Sequence, residues 1–255
     1  MKLTELLTDV IYHTALDDIE IADVTCDSRK VKPGSLFVCI AGENFDGHDH
    51  AEESLEKGAA AIVCERDLGL KEQILTDNTR KAYGTICCNY FGNPADRLKL
   101  IGVTGTNGKT TVTTLIKSIL SSCGIKTGLI GTIQNEIGDM ILPTDKTTPD
   151  AYDLQKLFLR MADEGCEYVV MEVSSHALDQ YRIGNIHYDV AVFTNLTQDH
   201  LDYHKTMENY FNAKKRLFEI ADVGVINVDD IYGRQLSLIA KCHVCLLYTS
   251  PSPRD

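Results

Sequence analysis

The stretch Leu100-Ile-Gly-Val-Thr-Gly-Thr-Asn-Gly-Lys-Thr-Thr111 leads from an apolar run into a glycine-rich turn and then into helix-forming residues. Backbone amides at a helix start, with the positive end of the helix dipole behind them, are suited to hold phosphates. Gly105 and Gly108 permit the tight backbone around Thr106 and Asn107. Lys109 can reach β- and γ-phosphates, and the Thr110 hydroxyl, followed by Thr111, is placed to ligate Mg²⁺. The usual spacing G-x-x-x-x-G-K-[ST] would need a glycine where Val103 stands, so this is a shorter G-x-x-G-K-T loop. A glycine-rich βα turn with no ligand is the plain alternative, but Gly-Lys-Thr at the mouth of a helix after a buried strand argues against it.

Two further clusters fall at strand ends. Glu172, in Glu167-Tyr-Val-Val-Met-Glu-Val-Ser-Ser-His176, would be a solvated glutamate if read alone; beside a phosphate loop, Mg²⁺ ligation becomes the better reading. Phe193-Thr-Asn-Leu-Thr-Gln-Asp-His-Leu-Asp-Tyr-His204 brings two histidines and two aspartates into one short loop. His200 has the stronger claim to face a nucleotide, and His204 reads as a structural histidine. Zinc is disfavoured because cysteine partners at workable spacing are missing, and Cys242-His-Val-Cys245 reads as coincidence. Lys214, in the basic run Lys214-Lys-Arg216, reads on its own as a solvated helix lysine.

These groups need a scaffold. Compact apolar runs over 98–104, 127–131, 168–173, 190–195 and 223–228 predict buried parallel strands. Helical patterns over 109–123, 150–164 and 207–220 lie between them, the first two ending at Gly124 and Gly165. The alternation predicts an α/β fold, a doubly wound, mostly parallel sheet whose ligands sit at the carboxyl ends of the strands. Ahead of it, strand-like runs over 35–40 and 60–63 around a helix over 51–57 predict a small α/β unit. The turn chemistry of Tyr90-Phe-Gly-Asn-Pro-Ala-Asp96 sets the boundary, giving domains over 1–96 and 97–245. Residues 246–255 show no helix or strand pattern and read as a non-native tail on an incomplete sheet.

Composition narrows the function. The chain has 255 residues, 44% hydrophobic and 24% charged, the balance of a globular protein. A net charge of −12 means that an anionic ligand must be held by a local site, and sequence-independent nucleic-acid binding is disfavoured. Most of the nine cysteines lie in apolar runs and read as buried hydrophobes in a reducing compartment. With no basic leader and no run long enough to span a membrane, the expected location is cytoplasmic.

Several of these stretches resemble the Mur ligases, and within them the branch that adds the third amino acid to UDP-N-acetylmuramoyl-L-alanyl-D-glutamate. They are Gly105-Thr-Asn-Gly-Lys-Thr-Thr111, Thr147-Thr-Pro-Asp150, Glu172-Val-Ser-Ser-His176 with Gln180 and Arg182 following, Asp199-His-Leu-Asp-Tyr-His204 and Ala213-Lys-Lys-Arg-Leu-Phe218. Cys26-Asp-Ser-Arg29 and Phe37-Val-Cys-Ile-Ala-Gly-Glu-Asn-Phe-Asp-Gly-His48 are similar to the family's UDP-binding domain, so the resemblance runs to about Leu238. It implies that Ser28 with Glu43, Asn44 and Phe45 holds the uridine diphosphate end, and that Thr147, Thr148, Ser174, Gln180 and Arg182 hold the muramoyl dipeptide. A guanidinium such as that of Arg182 suits a carboxylate or phosphate by its forked geometry. Read without the resemblance, Thr147-Thr-Pro-Asp150 is a helix start with a threonine cap and an early proline.

The resemblance also implies an ATP-dependent amide-bond ligase of peptidoglycan precursor synthesis, working through an acyl phosphate. ATP would lie on residues 105–111, with Lys109, Lys214 and His200 as the catalytic groups. One Mg²⁺ would lie between Thr110 and Glu172, and a second would be held by His200 and a CO₂-derived carbamate on Lys214. The partners would be the UDP-N-acetylmuramoyl-dipeptide and a free amino acid, either meso-diaminopimelate or L-lysine, with the protein monomeric. The family's C-terminal amino-acid-binding domain is expected to be absent from this chain, which would then bind precursor without ligating it. A folylpolyglutamate synthase-like ligase shares a similar loop and modified lysine, but lacks the UDP-binding domain and the Glu-Val-Ser-Ser-His stretch. The alternative from another class is a non-catalytic nucleotide- or UDP-sugar-binding fragment.

Overall fold

The computed structural model describes residues 1–42 and 45–248. Contacts divide the chain into two compact units, the first made of Met1–Asn93, Ala151–Lys156 and Gln180–Asn185, the second of Pro94–Asp150, Leu157–Asp179 and Ile186–Asp255. The expected division at residue 96 therefore differs in kind as well as in position. Two short later segments join the first unit, which no local turn signal could announce.

The first unit contains α1 (Leu3–Leu6), β1 (His13–Thr14), β2 (Asp23–Thr25), β3 (Ser35–Val38), α2 (Ala51–Glu56), β4 (Ala61–Cys64), β5 (Gln73–Leu75) and α3 (Thr79–Tyr90). Its sheet runs β1-β5-β4-β3-β2, parallel except for β1. Every residue of β3 and β4 is buried, which is why these two central strands read as unbroken apolar runs. Helix α3 escaped the sequence pattern, because its threonines, glycine and cysteines carry no clear stripe. It forms because Asn78 caps it, accepting from the Lys81 amide, and because Ala82, Tyr83, Ile86 and Cys87 join the core. Asn89 near its end donates to the carbonyls of Leu6 and Thr8, tying it to α1.

The second unit contains β6 (Lys99–Thr104), α4 (Lys109–Ser122), β7 (Thr127–Ile130), β8 (Asn135–Ile137), β9 (Met140–Leu142), α5 (Ala151–Asp163), β10 (Tyr168–Glu172), α6 (Ser175–Asp179), β11 (Tyr188–Phe193), α7 (Leu201–His204), α8 (Met207–Lys215), β12 (Ala221–Asn227), α9 (Ile231–Ile239) and β13 (His243–Leu247), although α5 begins among the residues of the first. The sheet order is β13-β12-β11-β6-β10-β7-β8-β9. It is parallel from β13 to β7 and antiparallel through the hairpin β8–β9. The chain leaves β6 toward one side of the sheet and crosses from β10 to β11 past β6, so the carboxyl end of β6 is a topological switch point. Register aligns the three strand ends there, with Glu172 opposite Val103 and Phe193 opposite Thr104.

Three sequence expectations are corrected. The helix expected over 207–220 ends at Lys215 and tightens into a 3₁₀ turn over Arg216–Glu219. Residues 246 and 247, expected to be without structure, are the last two of β13, paired with Ile226 and Asn227 of β12. Thr148 is not a helix cap; Asp150 occupies the cap position of α5 without a side-chain cap bond, and the Thr148 hydroxyl turns to β10 instead. Most of the nine cysteines are buried as expected, Cys39, Cys64, Cys87, Cys88 and Cys166 among them, while Cys123 and Cys245 are exposed. Among the described residues no helix is long and apolar enough to cross a membrane.

Within the first unit, α3 approaches the 180–185 segment at a pair of glycines. A Cβ on Gly84 would meet the Tyr181 carbonyl oxygen at 2.5 Å and the Gly184 Cα at 2.8 Å. Alanine in a helix gains about 1 kcal/mol over glycine, whereas overpacking against atoms that cannot move costs about 1–3 kcal/mol. Gly84→Ala is therefore expected to lower the unfolding free energy in urea; a more stable variant would show that the two backbones have room to part.

Candidate active site

The phosphate-loop candidate follows β6 directly. Gly105 has φ +150° and Gly108 φ +84°, and Gly108 caps α4 in a left-handed conformation that favours glycine. Loop amides divide into two sets. Those of Thr106 and Asn107 donate to the carbonyl and the side-chain oxygen of Asn195, at 2.9 and 3.0 Å. Those of Gly108, Lys109, Thr110 and Thr111 donate to no acceptor among the described residues, which leaves four N–H groups at the start of a 14-residue helix.

Two lysine amines converge on one oxygen. Lys109 Nζ donates to the carbonyls of Gly105 and Thr106, each at 2.9 Å, and Lys214 Nζ donates to the same Gly105 oxygen at 2.9 Å. Lys214 is 2% exposed, so the solvated helix lysine expected from its basic run is not what the structure contains. Burial pushes its amine well below the ordinary lysine range, the neighbouring Lys109 charge pushes the same way, and Asp199 opposes both. Lys109 is also lowered by burial, against the pull of Glu172 and Asp199. The Lys214 amine stands over the Tyr210 ring, 4.6 Å from its centroid.

Glu172 ends β10 at 1% exposure, and Gly131 makes room for it, since a Cβ there would lie 2.7 Å from Glu172 Oε1. Its carboxylate accepts from the Thr110 hydroxyl at 2.9 Å, the Thr132 amide at 2.9 Å and the Thr132 hydroxyl at 3.0 Å. Among the described residues no cation forms an ion pair with it. A buried carboxylate beside a threonine hydroxyl is an oxygen-only donor pair, which fits Mg²⁺. His200 and Lys214 make a poorer set as they stand, because an ammonium repels a cation; an anionic oxygen on the lysine nitrogen would remove the mismatch.

His200 is itself held in a left-handed conformation at φ +52° and is about half exposed. Its ring packs edge-on to Tyr210, whose hydroxyl lies 3.2 Å from the Thr106 hydroxyl. His204 stacks on Tyr210 and meets the Ser175 hydroxyl at 2.8 Å. Burial is the largest cause holding His204 down at about 4, with His176, Lys214 and His200 adding to it and Asp179 opposing.

Thr148 and Ser174 are brought together: the Thr148 hydroxyl donates to the Glu172 carbonyl at 2.9 Å and accepts from the Ser174 amide at 3.0 Å. Thr147 reaches the same knot through Thr132, hydroxyl to hydroxyl at 3.0 Å. In the first unit Gln180 and Arg182 are joined, both Nε and Nη2 of Arg182 donating to Gln180 Oε1. Ser28 and Phe45 share a recess with Cys26, Asp27, Arg29, His50 and Glu53, and Phe45 stacks on His50 at 4.6 Å. Glu43 and Asn44 lie outside the described residues. Sequence reasoning missed Thr132, Asn195 and Tyr210, whose partners lie 40, 88 and 104 residues away and leave no local signal.

Comparison with known proteins accords with this geometry. The Mur ligase middle domain matches residues 103–251, and the Mur ligase family catalytic domain matches residues 20–87. The chain belongs to the Mur ligase family. It is 47% identical over 241 residues to a Clostridium perfringens protein named UDP-N-acetylmuramoyl-L-alanyl-D-glutamate–2,6-diaminopimelate ligase, covering 92% of this chain and 50% of that one. A Geobacillus kaustophilus ligase of the same name is 52% identical over 223 residues, covering 86% and 45%. A solved structure of a ligase of that name superposes with TM-score 0.84 at 30% identity, covering 99% of this chain and 53% of that one. MurF from Acinetobacter baumannii shares the fold at TM-score 0.63 and 22% identity, over 95% of this chain and 52% of that one. This Mur ligase chain thus spans about half the length of the curated relatives it matches.

Two outcomes follow from the site. Thr148→Val leaves the half-buried Ser174 amide without its acceptor, which costs about 1 kcal/mol; Thr148→Ser should recover most of it, and denaturant titration of the pair checks both. His204 has its folded value near 4 below the ordinary 6.5, so the unfolded chain binds the extra proton between them. Its contribution is whole above pH 6.5 and is lost as pH falls toward 4, on the order of 3 kcal/mol in all. His204→Gln should therefore show a shallower fall in stability across that window than the parent, and equal slopes would refute the assignment.

Proposed function

We propose that this chain carries the UDP-precursor and nucleotide sites of an ATP-dependent ligase that joins meso-diaminopimelate to UDP-N-acetylmuramoyl-L-alanyl-D-glutamate. The observation that carries the reading is the convergence of four unspent helix amides, Lys109, Lys214 and the Glu172–Thr110 pair at one strand switch point. The choice of diaminopimelate rests on the names of the relatives. Domain roles follow the same reading: the first unit would hold the uridine diphosphate end through Ser28 and the 43–45 loop, and the second the ATP. Thr147, Thr148, Ser174, Gln180 and Arg182 would hold the muramoyl dipeptide. Folylpolyglutamate synthase is disfavoured by the family match over residues 20–87.

In the reaction, a glutamate carboxylate oxygen of the precursor attacks the γ-phosphorus of ATP and ADP leaves. The amine of the incoming amino acid adds to the acyl phosphate carbon, phosphate departs from the tetrahedral intermediate, and the amine's surplus proton is lost. Helix amides and Lys109 would neutralise the phosphates and hold them in line, so that catalysis is positioning and charge stabilisation. Mg²⁺ held by Thr110 and Glu172 would supply further charge on the phosphate oxygens. Burial that lowers the Lys214 amine favours its neutral form, which would add to CO₂ with loss of one N–H proton, and the oxygens of the resulting carbamate, with His200, would suit a second Mg²⁺.

Calorimetric titration with ADP and with the UDP-dipeptide, beside ¹³C NMR in ¹³C-bicarbonate, tests these assignments. Lys109→Ala should weaken ADP binding at least tenfold, about 1.4 kcal/mol, with the fold intact by circular dichroism. Lys214→Ala should lose a carbamate resonance that Lys215→Ala keeps. Binding of a folate in place of the UDP-dipeptide, or a carbamate that survives Lys214→Ala, would overturn the assignments.

A further inference from the structure

The phosphate loop has two residues fewer between its glycines than the usual G-x-x-x-x-G-K form, and Lys109 already begins the helix. Besides the lysine bonds to its carbonyls, its backbone is held by the residues just past the end of β11. Asn195 pairs with both backbone polar groups of residue 107: Oδ1 accepts from the Asn107 amide at 3.0 Å, and Nδ2 donates to the Asn107 carbonyl at 3.2 Å. The Asn195 carbonyl accepts from the Thr106 amide at 2.9 Å. The Thr194 hydroxyl donates to the Asn107 carbonyl at 2.6 Å. The template is anchored in turn, because Asn227 at the end of β12 donates to the Thr194 carbonyl at 2.8 Å.

We propose that Thr194 and Asn195 are positioning residues for the phosphate grip, occupying the amides of 106 and 107 so that those of 108–111 are left aimed at the ligand. This rests on the reading of residues 105–111 as a nucleotide-phosphate site. The side chain at 195 must present a donor and an acceptor at one length. Aspartate lacks the donor, glutamine is a methylene longer, and alanine offers neither. Loop and template also specify each other sterically, since a Cβ at position 105 would stand 1.9 Å from the Thr194 hydroxyl oxygen. Gly105 is thus required by its neighbour as well as by its own backbone.

The test compares the chain with Asn195→Ala, Thr194→Val and Thr194→Ser. Readouts are ADP affinity by calorimetry, thermal midpoint, and hydrogen exchange at the Thr106 and Asn107 amides against those of β6. Asn195→Ala should weaken ADP about ten- to a hundredfold, the range of two lost hydrogen bonds. Exchange at Asn107 should quicken while β6 stays protected. Thr194→Val should do the same more weakly, and Thr194→Ser should restore affinity; this pair decides the matter if Asn195→Ala does not fold. Unchanged ADP affinity in Asn195→Ala and Thr194→Val, with the parent binding normally, would overturn the positioning role alone. Failure of the parent to bind ADP would overturn the phosphate-loop reading, and this inference with it.

Discussion

One carbonyl oxygen, that of Gly105, takes both Lys109 and Lys214, and the site is organised around that shared acceptor. Two ammonium groups within reach of one oxygen repel each other, and the repulsion falls hardest on the partner with less water. Lys214 is that partner, being almost fully buried on α8 over the Tyr210 ring. Burial with no paired carboxylate among the described residues disfavours its charged form, and the Lys109 charge adds to that while Asp199 opposes it. The push of the Lys214 amine toward its neutral form is a direct consequence of how the strands bring 105 and 214 together.

The remaining polar groups follow the rule that a buried donor or acceptor must be matched. Glu172 is surrounded by hydroxyls and an amide from Thr110 and Thr132 instead of by a cation. The carboxylate is thereby held in one orientation at the end of β10. Thr148 serves β10 in the same manner, satisfying the Ser174 amide and the Glu172 carbonyl with one hydroxyl. A threonine in that position looks in sequence like a helix cap, and only the bend of the chain before α5 turns it away from the helix.

The two units place their chemistry differently. In the second, the switch point of a parallel sheet gathers residues from β6, β10, β11 and α8, separated by up to about a hundred positions. In the first, Ser28 and Phe45 line one recess formed by local loops around β2, β3 and α2. Gln180 and Arg182 belong to that same unit although they follow the Glu172–His176 stretch by only a few residues. Proximity in sequence thus misassigns them, because a chain that leaves one sheet and returns to it carries no mark of the excursion.

Sequence alone determined the periodic elements and the short motifs. The apolar runs of β6, β10 and β11, the glycine-lysine-threonine turn and the glycine stops after α4 and α5 are legible because strand burial and helix termination are local physics. Elements whose stability is lent by neighbours were not legible: α3 with its cysteines and threonines, the hairpin β8–β9, and the reach of β13 to Leu247, set by pairing with β12. Within the site, Lys109, Thr110 and Glu172 declare themselves by type and place. The burial of Lys214, the pairing of Asn195 with the Asn107 peptide and the bridge from Tyr210 to Thr106 were decided only in the tertiary structure. Burial and hydrogen-bond partnership are properties of the surroundings a residue acquires on folding, and a linear pattern records only the residue itself.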